Sequence, residues 1–118
     1  MFYSLWAEIF GSENGMKYVD SPARLYYRVN SDEMAPTLVA GDTAVVDRNV
    51  KGFDQTGIYL VTVSGENILR RFRRALDGSI RVSCDNSAKY PEVETLSSEN
   101  GIEVMGRVVS KVSVESVN

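Results

Sequence analysis

A chain of 118 residues and 13.1 kDa has the size of one compact domain. Its 43% apolar and 25% charged residues sit near the averages of folded globular chains, which excludes intrinsic disorder, collagen-like repeats and coiled coils. With no histidine and a single cysteine, Cys84, it can build no imidazole-based triad, no imidazole zinc site and no intrachain disulfide. A net charge of -3 also withholds the positive field that counterion release would reward on a DNA-binding surface.

No metal or cofactor is expected from this inventory. The lone cysteine makes a cytoplasmic location the expectation. The opening Met1 to Glu8 lacks the basic-then-apolar order of a secretory signal, and no apolar run approaches the ~20 residues of a membrane span.

Residues 1–23 combine an aromatic opening with Gly11, Ser12, Asn14, Gly15 and Pro22, which predicts a linker arm, a short helix or extended segment followed by a loop. Residues 24–118 form the domain. Within it, β-rich runs punctuated by Gly, Asn and Asp predict at least six strands, at 24–30, 43–48, 57–64, 67–74, 79–84 and 102–114. Ser64-Gly65-Glu66-Asn67 and Asp77-Gly78 supply reversals, so 57–84 reads as a three-strand meander. Met34 to Leu38 reads as a short turn or 3₁₀ segment, because Pro36 would remove a ladder hydrogen bond from a central strand.

Strand alternation sends Arg71 and Arg73 to solvent and Arg70, Phe72 and Arg74 to the opposite face, a plainer reading of Arg70-Arg71-Phe72-Arg73-Arg74 than a phosphate-binding patch. Tyr26, Tyr27, Phe53, Tyr59 and Tyr90 read as core and rim aromatics, and Cys84 as a small buried apolar side chain near a strand end. In the tail, Val108, Val112 and Val114 alternate onto the face of Ser110. A long strand with an unpaired edge predicts pairing with a second copy through Val112 and Val114; an internal strand with a frayed end is the alternative.

One block is more specific. Asp32-Glu33-Met34-Ala35-Pro36-Thr37-Leu38, followed by Gly41-Asp42 and the strand Val45-Val46-Asp47, resembles the Gly-Asp-Ser-Met-x-Pro-Thr-Leu...Gly-Asp signature of the LexA-type family of self-cleaving repressors. Further blocks follow in the family's order: Gly57 to Val61, Ile68 to Phe72, Ser83-Cys84-Asp85-Asn86 with Tyr90-Pro91, and Met105-Gly106-Arg107-Val108-Val109. The resemblance covers Val29 to Ser110. It implies a mainly β fold, a curled, partly open antiparallel sheet with short helical turns, as in LexA, the lambda-type phage repressors, UmuD and, distantly, the signal peptidases.

Family members cleave a peptide bond with a serine nucleophile and a neutral lysine base. In this chain Glu33 aligns with the serine and Arg70 with the lysine, 37 positions later. Arginine stays protonated and cannot act as that base. A glutamate nucleophile would have to form a mixed anhydride, with no general acid in evidence for the leaving amine. Complementary charge at the two positions predicts a Glu33–Arg70 ion pair; two independent exposed side chains are the alternative. Ser31 with Lys51 or Lys89 is the remaining nucleophile candidate. The target bond of such proteins, usually Ala-Gly or Cys-Gly in the arm, has no counterpart there beyond Phe10-Gly11 and Asn14-Gly15, and Ala40-Gly41 falls inside the domain.

The resemblance therefore implies the C-terminal oligomerisation and regulatory domain of a phage or prophage repressor without self-cleavage, no catalytic residue surviving. Its partners would be a second copy and an antirepressor protein, with DNA contacted only through a helix-turn-helix segment outside these residues and no role for a membrane. An active self-processing peptidase, or a binding module for an antirepressor, are the alternatives.

Overall fold

The computed structural model describes residues 16–18, 23–99 and 101–113. They form one eight-stranded antiparallel sheet, with strands β1 (Met16–Tyr18), β2 (Arg24–Arg28), β3 (Thr43–Asp47), β4 (Gly57–Val63), β5 (Glu66–Arg74), β6 (Ile80–Ser83), β7 (Val93–Leu96) and β8 (Ile102–Val112). The spatial order is β1-β2-β3-β8-β4-β5-β6-β7, open at both ends. The fold is thus mainly β, and no helix occurs among the described residues; the expected helical turns are reduced to single hydrogen-bonded turns such as Leu38 N to Met34 O at 2.9 Å. Met16–Tyr18, inside the segment assigned to the arm, pairs with Leu25 to Tyr27 as an added edge strand, while the other arm residues except Ala23 lie outside the described ones.

The meander over β4, β5 and β6 follows the expected turns. Val63 pairs with Glu66, so the first reversal is the two-residue loop Ser64-Gly65, with φ of 52° and 82°, the mirror-image geometry that matches strand twist. Gly78, at φ 87°, closes the second through Gly78 N to Ala75 O at 3.0 Å.

Each face of the sheet carries a core cluster, and β4 supplies both. Ile58 and Leu60 join Leu25, Ala44, Val46 and Leu69 in one cluster, capped by Met34 and Leu38. Tyr59 and Val61 join Phe72, Ile80, Val82 and Val104 in the other, capped by Phe53. Opposite faces for successive residues explain why four consecutive side chains of β4 are buried. Phe53 stacks on Phe72 with centroids 4.0 Å apart and meets Tyr59 edge-on at 4.9 Å, so these aromatics are core.

Strand β8 corrects the expected tail. It is not an outer edge: it runs between β3 and β4, with Val112 opposite Thr43. It is shared unequally, because β4 pairs only with Ile102 to Arg107 and β3 only with Arg107 to Val112. Among the described residues the strand beyond Arg107 therefore has a ladder partner on one side alone, and the sheet bends where its two halves change over. Two register shifts mark that bend, opposite Val45/Val46 and Leu60/Val61. The first also breaks the expected common face: Val108 follows Val46 onto the buried cluster, whereas Ser110 and Val112 follow Val45 and Thr43 onto the other side. Val114 lies outside the described residues.

Candidate functional site

The excursion from Val29 to Asp42 carries the site, and its own chemistry fixes its shape. Val29 N donates to Asp42 O and Gly41 N to Val29 O, both at 2.9 Å, which pins the base of the loop. Gly41 has φ of 98°, a conformation that side chains disfavour, and the buried Asp42 carboxylate accepts from Val39 N at 3.0 Å. That bond, despite burial, holds the Asp42 carboxyl below its ordinary range, with Lys111 Nζ 3.8 Å away adding to the effect. Met34 and Leu38, one turn apart and each 2% exposed, plug the core, so the residues between them are held over the sheet. Pro36 follows a cis peptide bond and is exposed.

Glu33 on this loop meets Arg70 on β5. Arg70 Nη1 donates to Glu33 Oε1 at 3.0 Å and Nη2 to Oε2 at 3.2 Å, a two-pronged contact between planar groups. Arg70 Nη1 also donates to Leu69 O at 2.8 Å, and Ser31 Oγ to Glu33 Oε1 at 3.3 Å. The pair is half-buried, with Arg70 20% and Glu33 31% exposed. Tyr27 borders it, its phenol pushed up by burial and then by the Glu33 charge. Cys84, on the other side, is half-buried rather than buried, and its thiol is raised chiefly by burial against a lowering by Arg70, which leaves it a poor nucleophile.

A second loop, residues 84–90, clamps the first. Asn86 N donates to Glu33 O at 3.0 Å and Asn86 Nδ2 to Asp32 O at 2.9 Å. The Asp32 carboxylate accepts from Lys89 Nζ at 2.7 Å and from Tyr90 OH at 2.8 Å, and these bonds, Lys89 first, hold it below the ordinary carboxyl range. Asp85 accepts two bonds from Arg71, from Nε and Nη2, each at 2.7 Å, and one from Thr37 Oγ1 at 2.6 Å. Arg71 is consequently not a freely solvated side chain, as alternation alone predicts: a loop that folds back over its face supplies the carboxylate. Tyr90 likewise is a site residue and not only a rim aromatic. The signal for Asp85, Asn86 and Tyr90 lay in the Ser83 to Pro91 block, which gave them no role.

Chemically, the arrangement neutralises itself. Glu33 is an acceptor occupied by a guanidinium, and Lys89 is held charged by Asp32, which raises its ammonium. Lys51 is exposed and takes no part in this network. Among the described residues no group of three or more His, Cys, Asp or Glu is placed to hold a metal ion, and no helix is long and apolar enough to cross a membrane.

Comparison with known proteins agrees with the sheet and with the motif blocks. The model of the Peptidase S24-like family matches residues 9–109. No curated protein matches the chain.

Proposed function

The chain belongs to the Peptidase S24-like family, and on that premise we propose that it is the self-associating, regulatory domain of a transcriptional repressor and does not cleave itself. The family comprises LexA-like repressor and UmuD-like domains and includes active self-cleaving peptidases. What carries the proposal is the two-pronged Arg70–Glu33 contact at 3.0 and 3.2 Å, at the positions the motif gives to base and nucleophile. A guanidinium offers donors and no acceptor, so it cannot take a proton from a neighbouring group as a neutral lysine would.

In this role the domain works by bringing two copies together. Joining two DNA-binding heads makes the second half-site contact intramolecular, and operator affinity then follows the association state. A phage source, an antirepressor partner and a cytoplasmic setting belong to the same proposal.

Among the described residues, the bond from the Ser31 hydroxyl to Glu33 Oε1 at 3.3 Å is the contact that favours an active peptidase instead. The test is prolonged incubation of the purified chain at alkaline pH, followed by mass spectrometry. An intact mass is expected. Discrete fragments with a single new terminus, abolished by Ser31→Ala, would replace the proposal with the peptidase reading.

A further inference from the structure

The hairpin joining β5 and β6 leaves a basic surface that nothing in the candidate site uses. Arg73 and Arg81 face each other directly across the ladder, and both are exposed. Residues so placed have Cβ atoms about 4.5–5.5 Å apart, and like charges there oppose folding. Among the described residues Arg73 has no ion-pair partner, and Arg81 has only the longer-range attraction of Asp77. The Asp77 carboxylate holds Ser79 through Oδ1, accepting from its N at 2.9 Å and its Oγ at 2.6 Å. Neighbouring Arg74 is tied to Gly78 O and Phe53 O, which stiffens the base of the hairpin.

These arginines, with Ala75, Leu76 and Asp77, line an open groove of about 510 Å³. Leu76 stands at its rim with its side chain wholly in solvent. The register continues the same face outward, Arg81 lying opposite Thr95, so the surface extends onto the edge strand β7.

We propose that this face is the docking site for an acidic segment of a protein partner, one carboxylate seated between Arg73 and Arg81 and an apolar side chain against Leu76. Charge complementarity selects the acid, because a carboxylate between the two guanidinia removes a repulsion that the free protein carries. The exposed leucine selects a protein over a nucleic acid, and the overall charge of -3 opposes a polyanion longer than the patch. The inference is independent of self-association and of cleavage.

The test uses the isotope-labelled full chain and three probes: a short synthetic peptide alternating Asp or Glu with Leu, its Asn/Gln counterpart, and a DNA duplex. The acidic peptide is expected to shift amides of the β5–β6 hairpin and of Thr95, and the neutral peptide to shift none. Arg81→Glu should weaken binding by about tenfold or more, which is about 1.4 kcal/mol, while the melting temperature holds or rises, since Glu at that position can pair with Arg73. Leu76→Ser should also weaken binding, which a purely electrostatic patch would not require. Shifts elsewhere, equal binding of the neutral peptide, or indifference to both substitutions would overturn the proposal; so would hairpin shifts with the duplex and none with the acidic peptide.

Discussion

Arg71 and Asp85 meet through two bonds of 2.7 Å, and the Thr37 hydroxyl adds a third at 2.6 Å, so one carboxylate joins β5, the motif loop and the 84–90 loop. The Arg71 bonds hold the Asp85 carboxyl below its ordinary value, against a smaller upward push from burial. A carboxyl lowered in the folded state contributes stability above its unfolded pKa and loses it as pH falls through the folded value. That contribution should therefore be complete at neutral pH and fade below about pH 4. Asp32, lowered by Lys89 and Tyr90 in the same pair of loops, should fade in the same direction. Asp85→Asn keeps the shape and removes the charge, leaving Arg71 half-paired, and should cost about 1–3 kcal/mol at pH 7. Denaturant unfolding at pH 7 and pH 3 checks this: the wild type should exceed the variant at pH 7 and approach it at pH 3. An equal gap at both pH values would show that Asp85 acts through packing and not through charge.

Strand β8 is the element on which the architecture turns, and Gly106 is its tightest point. A Cβ there would press on the backbone oxygen of Asp47 and come within 2.6 Å of Val46 Cγ1, atoms of a neighbouring strand that cannot swing aside. Gly106→Ala should cost about 3 kcal/mol or more, at the upper end of overpacking losses because the obstacle is backbone, and a melting curve would reveal it. The glycine was visible in sequence as part of the Met105 to Val109 block, but its reason was not, since the clash exists only once β3 and β8 pair across some sixty residues. The same divide runs through the other elements. Strands β3, β4 and β6 were legible because half or more of their side chains are buried and print a pattern, and β5 because Leu69 and Phe72 enter the cores within a run bounded by turn signals. Strand β7 was not, for Val93, Glu94 and Thr95 are all exposed and leave no alternation to read. The bulges were hidden too, because they are set by the partner strand. In the site, complementary charge made the Glu33–Arg70 approach readable, while the partner of Arg71 depended on where a loop lands and could not be read from strand period.

For the whole molecule, the proposed self-association needs a surface, and β8 narrows the choice. The expected edge is absent at Val112's ladder position, yet among the described residues the segment after Arg107 is paired on one side only, and Val109 and Val112 along it are 39% and 48% exposed. Val109 also borders an open groove of about 500 Å³ shared with Thr37, Leu38 and Gly57. Exposed apolar side chains beside a half-free strand edge form the kind of surface that a second copy covers with both ladder bonds and packing. Light scattering after size exclusion should give at least twice 13.1 kDa at micromolar concentration. Val112→Asp should leave the fold intact, because the side chain already reaches water, but an unpaired carboxylate closed into an interface costs several kcal/mol. The variant should therefore elute at 13.1 kDa with an unchanged melting profile once association is subtracted. A wild-type mass of 13.1 kDa across the micromolar range would defeat self-association. A folded variant that still associates would instead move the interface off β8, towards the exposed outer face of β7 or the β1 edge of the sheet.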